Sequence, residues 1–218
     1  MEVRTLYNML IEHFDVKNWW PSDSTFEVMV GAILTQQTNW ENVDCCLHSL
    51  RDRGLLSPES MANADPVEIE EMVRPCGFYR QKSDRIMMLA RYLEEEWDGD
   101  PDMMLEGDVV EARTRLLSLN GVGKETADSI LLFAGGRPKF VAAAYVSRVF
   151  SRTGVLDSQD YDEIQEFVEN GFSKDPEELA SLYALIVQLA KVHCRTGADC
   201  DSCPLRGECA TGRSHAMK

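Results

Sequence analysis

The chain has 218 residues, of which 44% are hydrophobic and 27% are charged, as is usual for soluble globular proteins. This length suits one large domain or two small ones. No run of about 18 apolar residues occurs, so we expect no membrane association, and the acidic start predicts a cytoplasmic protein without a signal peptide. The formal net charge of −15 argues against a protein that coats nucleic acid by bulk charge.

Apolar residues at helical spacing predict an all-α protein. The predicted helical segments are residues 26–34, 86–92, 112–117, 125–133 and 178–193. The last of these is apolar on nearly every side, which predicts a buried helix. Asp23-Ser24 and Asp65 are predicted N-caps. We find no alternating strand pattern and no internal repeat.

The charges are unevenly distributed along the chain. Residues 94–111 contain nine acidic side chains, and residues 157–178 contain nine more. Between them, residues 113–152 contain only two acidic side chains and seven basic ones: Arg113, Arg115, Lys124, Arg137, Lys139, Arg148 and Arg152. This basic segment is either a set of solvated helix faces or a stripe that faces phosphate on an otherwise anionic protein.

Four of the seven cysteines lie close together near the end of the sequence, as Cys194-x5-Cys200-x2-Cys203-x5-Cys209. In a reducing compartment such spacing indicates a metal site before it indicates disulfides, although free thiols remain an alternative. Four thiolates suit a [4Fe–4S] cluster or a structural Zn²⁺, and spacing alone does not decide between them. The other cysteines, Cys45, Cys46 and Cys76, are expected to be buried core thiols.

A glycine-rich turn, Leu119-Asn-Gly-Val-Gly-Lys124, lies between two predicted helices. Two glycines allow a tight turn and close approach of a ligand, and the free N–H groups of the following helix can bind an anion. Lys124 adds a positive charge, which suits a DNA phosphate. An ordinary helix–helix turn is the alternative, and a Walker phosphate loop is poorly matched.

Together, these features resemble the helix-hairpin-helix DNA glycosylases of the endonuclease III superfamily. Further matching strings are Gly31-Ala-Ile-Leu-Thr-Gln-Gln-Thr38, Gly77-Phe-Tyr-Arg-Gln-Lys82 and Phe140-Val-Ala-Ala-Ala-Tyr145. The resemblance extends from about residue 6 to residue 209, although the first gap between cysteines is one residue shorter than is usual in the family. It implies a structural [4Fe–4S] cluster on Cys194, Cys200, Cys203 and Cys209 rather than Zn²⁺.

The resemblance also implies a two-lobed helix-hairpin-helix glycosylase fold with a C-terminal iron–sulfur cluster loop. One lobe, residues 22–136, would be a six-helix barrel that ends in the hairpin. The other would combine residues 1–21 with 137–218 and carry the cluster. The implied partner is double-stranded DNA that contains a damaged base, bound by a monomer at a prokaryotic nucleoid.

Within the superfamily, Asn18-Trp-Trp-Pro21 and Thr38-Asn-Trp40 resemble the 3-methyladenine DNA glycosylase III group. The resemblance implies that Trp19 and Trp40 sandwich the extruded base, with Trp20 and Pro21 completing the wall. Electron-rich indoles favour a cationic alkylated base. The alternative is that these tryptophans are simply core residues.

The resemblance assigns the DNA contacts to three places. Gln37 would fill the gap left by the flipped nucleotide, and Phe78 would form a wedge beside the opposite strand. The hairpin residues would bind phosphate: Gly121, Val122, Gly123 and Lys124. The alternatives are core packing for Phe78 and a helix-end cap for Gln37.

Two positions differ from the family pattern at residues that take part in the reaction. Bifunctional members carry a nucleophilic lysine where this chain has Glu125, and a carboxylate cannot form a Schiff base. We therefore predict a monofunctional enzyme without AP lyase activity.

The second departure is Ala143, which stands at the position of the family's catalytic Asp. Loss of such a group typically lowers the rate by about two or more orders of magnitude. Three explanations remain open: a deliberate Asp→Ala substitution made to trap a complex, a lineage that lost activity but kept damage recognition, or replacement by another carboxylate.

The expected function is hydrolysis of the N-glycosidic bond of alkylated purines of the 3-methyladenine type after base flipping, in a variant inactivated at Ala143. One alternative is a mismatch or uracil DNA glycosylase of the same fold. Another is a non-catalytic protein that binds damaged DNA, and Ala143 supports it. An electron-transfer iron–sulfur protein would leave the glycine hairpin unexplained.

Overall fold

A computed structural model describes residues 1–216, and all regular secondary structure in that range is helical, which confirms the all-α prediction. The helices are α1 (Val3–Ile11), α2 (Thr25–Leu34), α3 (Trp40–Asp52), α4 (Pro58–Ala62), α5 (Pro66–Val73), α6 (Tyr79–Trp97), α7 (Pro101–Leu105), α8 (Val109–Ser118), α9 (Lys124–Ser129), α10 (Ala144–Thr153), α11 (Tyr161–Gly171), α12 (Pro176–Val192) and α13 (Ala210–Ala216). A 3₁₀ turn, Arg74–Cys76, precedes α6, and a π-helical segment, Ile130–Ala134, continues α9.

The chain folds into two compact units. The central unit is Trp20–Arg137, and the terminal unit combines Met1–Trp19 with the residues from Pro138 onward. Trp20 and Pro21, which we expected in the terminal part, lie in the central unit, as does Arg137. Trp20 belongs there because its ring packs against Phe133, with ring centroids 5.1 Å apart.

Helix starts in the central unit follow the capping residues of the sequence. Ser24 accepts a hydrogen bond from the Glu27 N–H, and Asp65 accepts one from the Val67 N–H, which confirms both predicted caps. Helix α6 begins seven residues before the predicted segment. Its first turns contain Lys82 and Ser83, which are polar but buried and therefore interrupt the apolar pattern.

The terminal unit is built around α12. Its buried residues lie on several sides of the helix, as its composition predicts: Leu179, Leu182, Ala184, Leu185, Ile186, Val187, Leu189 and Ala190. Helices α1 and α10 pack against it. Arg4 of α1 donates to Glu178 at 2.7 Å, which fixes α1 beside the start of α12. No helix within residues 1–216 combines the length and the apolar character needed to cross a membrane.

Candidate nucleic-acid interface and cluster site

The glycine hairpin joins α8 to α9 in the central unit. Gly121 has φ +80°, a left-handed conformation that favours glycine. Gly123 is extended and forms the N-cap of α9, and a Cβ atom built on it would meet no atom of the described residues within 4 Å. Val122 is buried and anchors the turn. The backbone around Gly123 is therefore open to close approach by a ligand, beside the exposed Lys124.

A hydrogen-bond network supports the hairpin from within the central unit. The Gln36 side-chain amide donates to the Gly121 carbonyl and to Thr126 Oγ1, both at 3.0 Å. Arg85 Nη1 donates to Gln36 Oε1 at 2.6 Å. Gln36 thus ties the segment after α2 to the hairpin. Neither Gln36 nor Arg85 was predicted from the sequence, although Gln36 stands beside Gln37 in the motif that carries the resemblance.

A second contact holds the two hairpin helices together. Arg113 of α8 donates to the Asp128 carboxylate of α9 through two bonds of 2.6 and 3.0 Å. The Asp128 side chain is completely buried, while that of Arg113 is 20% exposed. This fork-like pair fixes both the distance and the angle between the helices that present the hairpin.

Two exposed residues project from strained turns of the central unit. Gln37, between α2 and α3, has φ +54°, and Phe78, before α6, has φ +45°. The Phe78 side chain is 60% exposed, so the core-packing alternative is wrong for it. Gln37 is neither the C-cap of α2, which is Thr35, nor the N-cap of α3, which is Asn39. A left-handed conformation costs a non-glycine residue about 1–2 kcal/mol, which makes both turns candidates for function.

Three aromatic rings lie together in the central unit. Trp20 and Trp40 meet edge to face with centroids 5.4 Å apart, and the centroid of the Phe133 ring lies 5.1 Å from that of Trp20. The Trp20 Nε1 atom is buried, and no atom of the described residues forms a hydrogen bond with it. Phe133, which lies in the π-helical segment, was not predicted from the sequence.

The remaining two wall residues have different surroundings. Pro21 is exposed in the central unit. Trp19 belongs to the terminal unit, where Lys191 Nζ lies 5.6 Å from its ring centroid.

The basic segment does not form a free stripe of cations. Its six half-buried members all have partners within their own unit. Arg113 and Lys139 pair with Asp128 and Glu169, whereas Arg115, Arg137, Arg148 and Arg152 donate to backbone carbonyls. Lys124 is the exposed member of the seven, all of which the structure describes.

The two departures from the family lie at the starts of different helices. Ala143 is the N-cap of α10 and is only 2% exposed. Its carbonyl accepts the Val146 N–H at 2.8 Å, but its methyl group offers the first turn no side-chain acceptor. Glu125 lies in the first turn of α9 with an exposed side chain. Surrounding protein atoms partly desolvate its carboxyl and raise its pKa.

The four clustered cysteines line one cavity in the terminal unit, beside Arg152 and His193. Desolvation and the neighbouring sulfurs raise the pKa of Cys200 and of Cys203. Arg148 Nε donates to the Cys194 carbonyl at 2.9 Å, which holds the start of the loop on α10. Among the side chains that the structure describes, residues 1–214, no three of His, Cys, Asp or Glu are close enough to hold a single metal ion. The all-sulfur donor set around a common cavity fits an iron–sulfur cluster.

The other three cysteines lie in the central unit. Cys46 and Cys76 are buried, as predicted, with their sulfur atoms 3.1 Å apart. Cys45 is exposed, so the prediction of a core thiol is wrong for it. Neighbouring helix positions are rotated by about 100°, so Cys45 and Cys46 cannot share one face of α3.

Comparison with known proteins gives consistent results. Residues 30–174 match the model of the HhH-GPD superfamily of base excision DNA repair proteins. A protein of Methanocaldococcus jannaschii, provisionally named a DNA repair glycosylase, is 42% identical over 206 residues that cover 94% of each chain.

Solved structures agree with these matches. The 3-methyladenine DNA glycosylase of H. pylori, determined with 1,N6-ethenoadenine, has a TM-score of 0.77 and 28% identity, over 88% of this chain and 98% of that one. An endonuclease III trapped as a covalent intermediate with DNA has a TM-score of 0.80 over the full length of both chains, at 23% identity. The second match therefore concerns the fold alone.

Proposed function

Because the chain belongs to the HhH-GPD superfamily of base excision DNA repair proteins, we propose that this DNA glycosylase is monofunctional and acts on alkylated purines in double-stranded DNA. The single observation that carries the monofunctional assignment is Glu125, which stands where bifunctional relatives of this superfamily have their lysine nucleophile. A carboxylate has no amine to condense with the sugar, so no Schiff base and no strand cleavage follow.

The aromatic residues support an alkylated purine as the substrate. Indole rings have electron-rich faces that attract a cationic methylated base, whereas a neutral pyrimidine would need specific hydrogen bonds. Trp20 and Trp40 pack edge to face in the central unit, where they would form one wall for the base. The similar H. pylori glycosylase was determined with a modified adenine, which supports the same substrate class.

The proposed DNA contacts have two roles: some bind the phosphate backbone, and others replace the stacking of the flipped base. The open backbone at Gly123 and the exposed Lys124 would bind a phosphate without reading the sequence of the DNA. Gln37 and Phe78 would replace the stacking that is lost when a base leaves the duplex, which costs a few kcal/mol per unstacked step. Both side chains are exposed, and both residues lie in turns with a strained backbone.

In the proposed reaction, a water molecule replaces the base at the sugar, which leaves a free purine and an abasic site. A cationic 3-methyladenine is already a good leaving group because its departure neutralises its charge. The protein must therefore mainly stabilise positive charge on the sugar. Ala143 offers no charge for this purpose, so we propose that the chain is an inactivated glycosylase.

We also propose that Cys194, Cys200, Cys203 and Cys209 hold a structural [4Fe–4S] cluster. Such a cluster would cross-link the loop between α12 and α13, which is too short to form a hydrophobic core of its own. Arg148 and Arg152 both donate to the Cys194 carbonyl, and Arg152 Nη1 lies 3.5 Å from Cys194 Sγ, where it would neutralise part of the negative charge of the thiolate ligands.

The experiment compares the chain with Ala143→Asp on duplex DNA treated with a methylating agent. We expect only the Asp form to release 3-methyladenine and both forms to leave the strand intact until alkali is added. Release of uracil or thymine instead would support the mismatch alternative.

Ala143 also supports a second candidate, a non-catalytic protein that binds damaged DNA. If both forms bind damaged duplex tightly but neither releases a base, the enzymatic proposal is wrong and this second function stands.

A further inference from the structure

Lys82 is a buried cation that the proposed function does not use. It lies in the second turn of α6 and is only 1% exposed. A lysine is seldom fully buried, because removing its ammonium group from water is costly unless partners replace the lost hydration. Burial accordingly lowers the pKa of Lys82.

The partners of Lys82 are two backbone carbonyls from different parts of the chain. Its Nζ atom donates to the Leu34 carbonyl at 2.9 Å and to the Cys76 carbonyl at 2.7 Å. Leu34 is the last residue of α2, and Cys76 is the last residue of the 3₁₀ turn before α6. Carbonyls at helix ends lack intrahelical donors and attract cations, so one ammonium group serves both ends.

Each of these carbonyls lies just before a turn that carries a proposed DNA-contacting residue, either Gln37 or Phe78. Leu34 precedes the turn that contains Gln37, and Cys76 precedes Gly77 and Phe78. Gly77 (φ +67°), Phe78 and Gln37 all have left-handed backbone. All three lie within three residues of a carbonyl that Lys82 binds.

The surroundings of Lys82 reinforce the same link. Cys46 of α3 contacts Cys76 at 3.1 Å, and the Cys76 thiol also donates to the Asn42 carbonyl at 3.4 Å. The hydrogen bond with Cys46 and the nearby ammonium group lower the pKa of Cys76. The two turns are therefore joined through a buried polar group and not only through apolar packing.

We propose that Lys82 is a positioning residue that fixes the Gln37 turn and the Phe78 turn relative to each other, so that both side chains enter the DNA at one lesion. This inference rests on the proposed function, because it assumes that Gln37 and Phe78 contact DNA. Lys82 itself touches no substrate. Its effect on DNA must pass through the two turns.

The test measures affinity for a duplex with one tetrahydrofuran abasic-site analogue and for the same duplex without it. The variant is Lys82→Met, whose unbranched side chain is one atom shorter and has no hydrogen-bond donor. We expect the preference for the lesion to fall about tenfold or more, because small misplacement of positioning groups has large effects. Affinity for the intact duplex, which depends on the hairpin, should change less than about twofold.

Two controls separate positioning from loss of stability. Leu93→Ala removes a buried side chain from the same helix and should lower the thermal midpoint while keeping the preference for the lesion. Lys82→Gln keeps N–H donors on a shorter side chain and should restore part of the preference. Lys82→Gln also serves as the test variant if Lys82→Met does not fold.

A mutant cycle gives the decisive result. In a chain that carries Gln37→Ala and Phe78→Ala, Lys82→Met should change lesion preference less than about twofold, since its effect passes through those side chains. An undiminished effect in that background, or full preference in Lys82→Met alone, overturns the inference. If the unmodified chain shows no preference for the lesion, the proposed function fails instead.

Discussion

Arg85 occupies the space that any side chain at Gly121 would need. A Cβ atom built on Gly121 would overlap the Arg85 guanidinium, including its Cζ atom at 2.6 Å. Arg85 is held there by its hydrogen bond to Gln36, whose amide in turn binds the Gly121 carbonyl. The absence of a side chain at position 121 is therefore as important to the hairpin as its left-handed backbone.

This arrangement predicts different outcomes for the two hairpin glycines. Gly121→Ala should destabilise the protein by about 1–2 kcal/mol from backbone strain alone, and by more if Arg85 must leave Gln36. Gly123→Ala should cost only about 0.5 kcal/mol, since its backbone is extended and its surroundings are open. Urea unfolding measures both values, and equal losses would contradict the structure.

The glycine variants also distinguish an effect on folding from an effect on DNA binding. Gly123→Ala keeps the fold but places a methyl group where phosphate would approach. We expect its affinity for any DNA duplex to fall, together with the dependence of affinity on salt. Unchanged affinity and salt dependence would argue against the hairpin as the phosphate site.

The ion pair between Arg113 and Asp128 should be a strong contributor to stability. Asp128→Asn leaves a half-buried guanidinium without its charged partner, and we expect a loss of about 2–4 kcal/mol. The control is Glu70→Gln, which breaks a surface pair with Arg80 at 3.7 Å and should cost less than about 0.5 kcal/mol. Denaturant midpoints compare the two, and similar small losses would show that the hairpin helices do not depend on this pair.

Phe78 should show a conflict between stability and function. Phe78→Gly relieves the left-handed backbone and should raise stability by up to about 1 kcal/mol, while it weakens binding to a duplex with an abasic-site analogue. Asp98→Gly relieves the same strain at the end of α6 and should raise stability without affecting DNA binding. Equal effects of the two variants on DNA binding would count against Phe78 as a wedge.

The raised pKa of Glu125 predicts a pH-dependent stability. The folded protein binds the carboxyl proton of Glu125 more tightly than the unfolded chain does. Stability therefore falls as the pH rises from the ordinary pKa of a glutamate through the raised pKa of Glu125. Glu125→Gln should therefore be more stable than the parent at about pH 7, and the difference should disappear below about pH 4. The exposed Glu71 provides the control, as Glu71→Gln. A gain that persists at low pH would contradict desolvation as the cause.

Replacing one clustered cysteine should remove the iron. We expect about four iron atoms per chain in protein purified without oxygen, and a large loss of iron and thermal stability in Cys203→Ser. Cys45→Ser alters an exposed thiol outside the cavity and should retain both. About one zinc per chain in place of iron would favour a structural Zn²⁺ site, and no bound metal in the unmodified chain would refute the cluster.

The sequence by itself determined the helical class, the N-caps at Ser24 and Asp65, and the family. These features depend on local rules, since caps act within one turn and the glycine and cysteine motifs are short strings of neighbouring residues. It also identified the two departures at Glu125 and Ala143, because a missing functional group is visible without coordinates.

Only the tertiary structure decided which polar residues act at a distance. Lys82 joins carbonyls 48 and 6 residues away, and Gln36 reaches the hairpin 85 residues further along. The sequence left open whether the basic segment forms solvated helix faces or a phosphate-facing stripe, whereas in the structure six of its seven cations pair with carbonyls or carboxylates of their own unit. Long-range packing determines these partners, because a buried polar group bonds to a donor or acceptor that is near in space, whatever their separation in sequence.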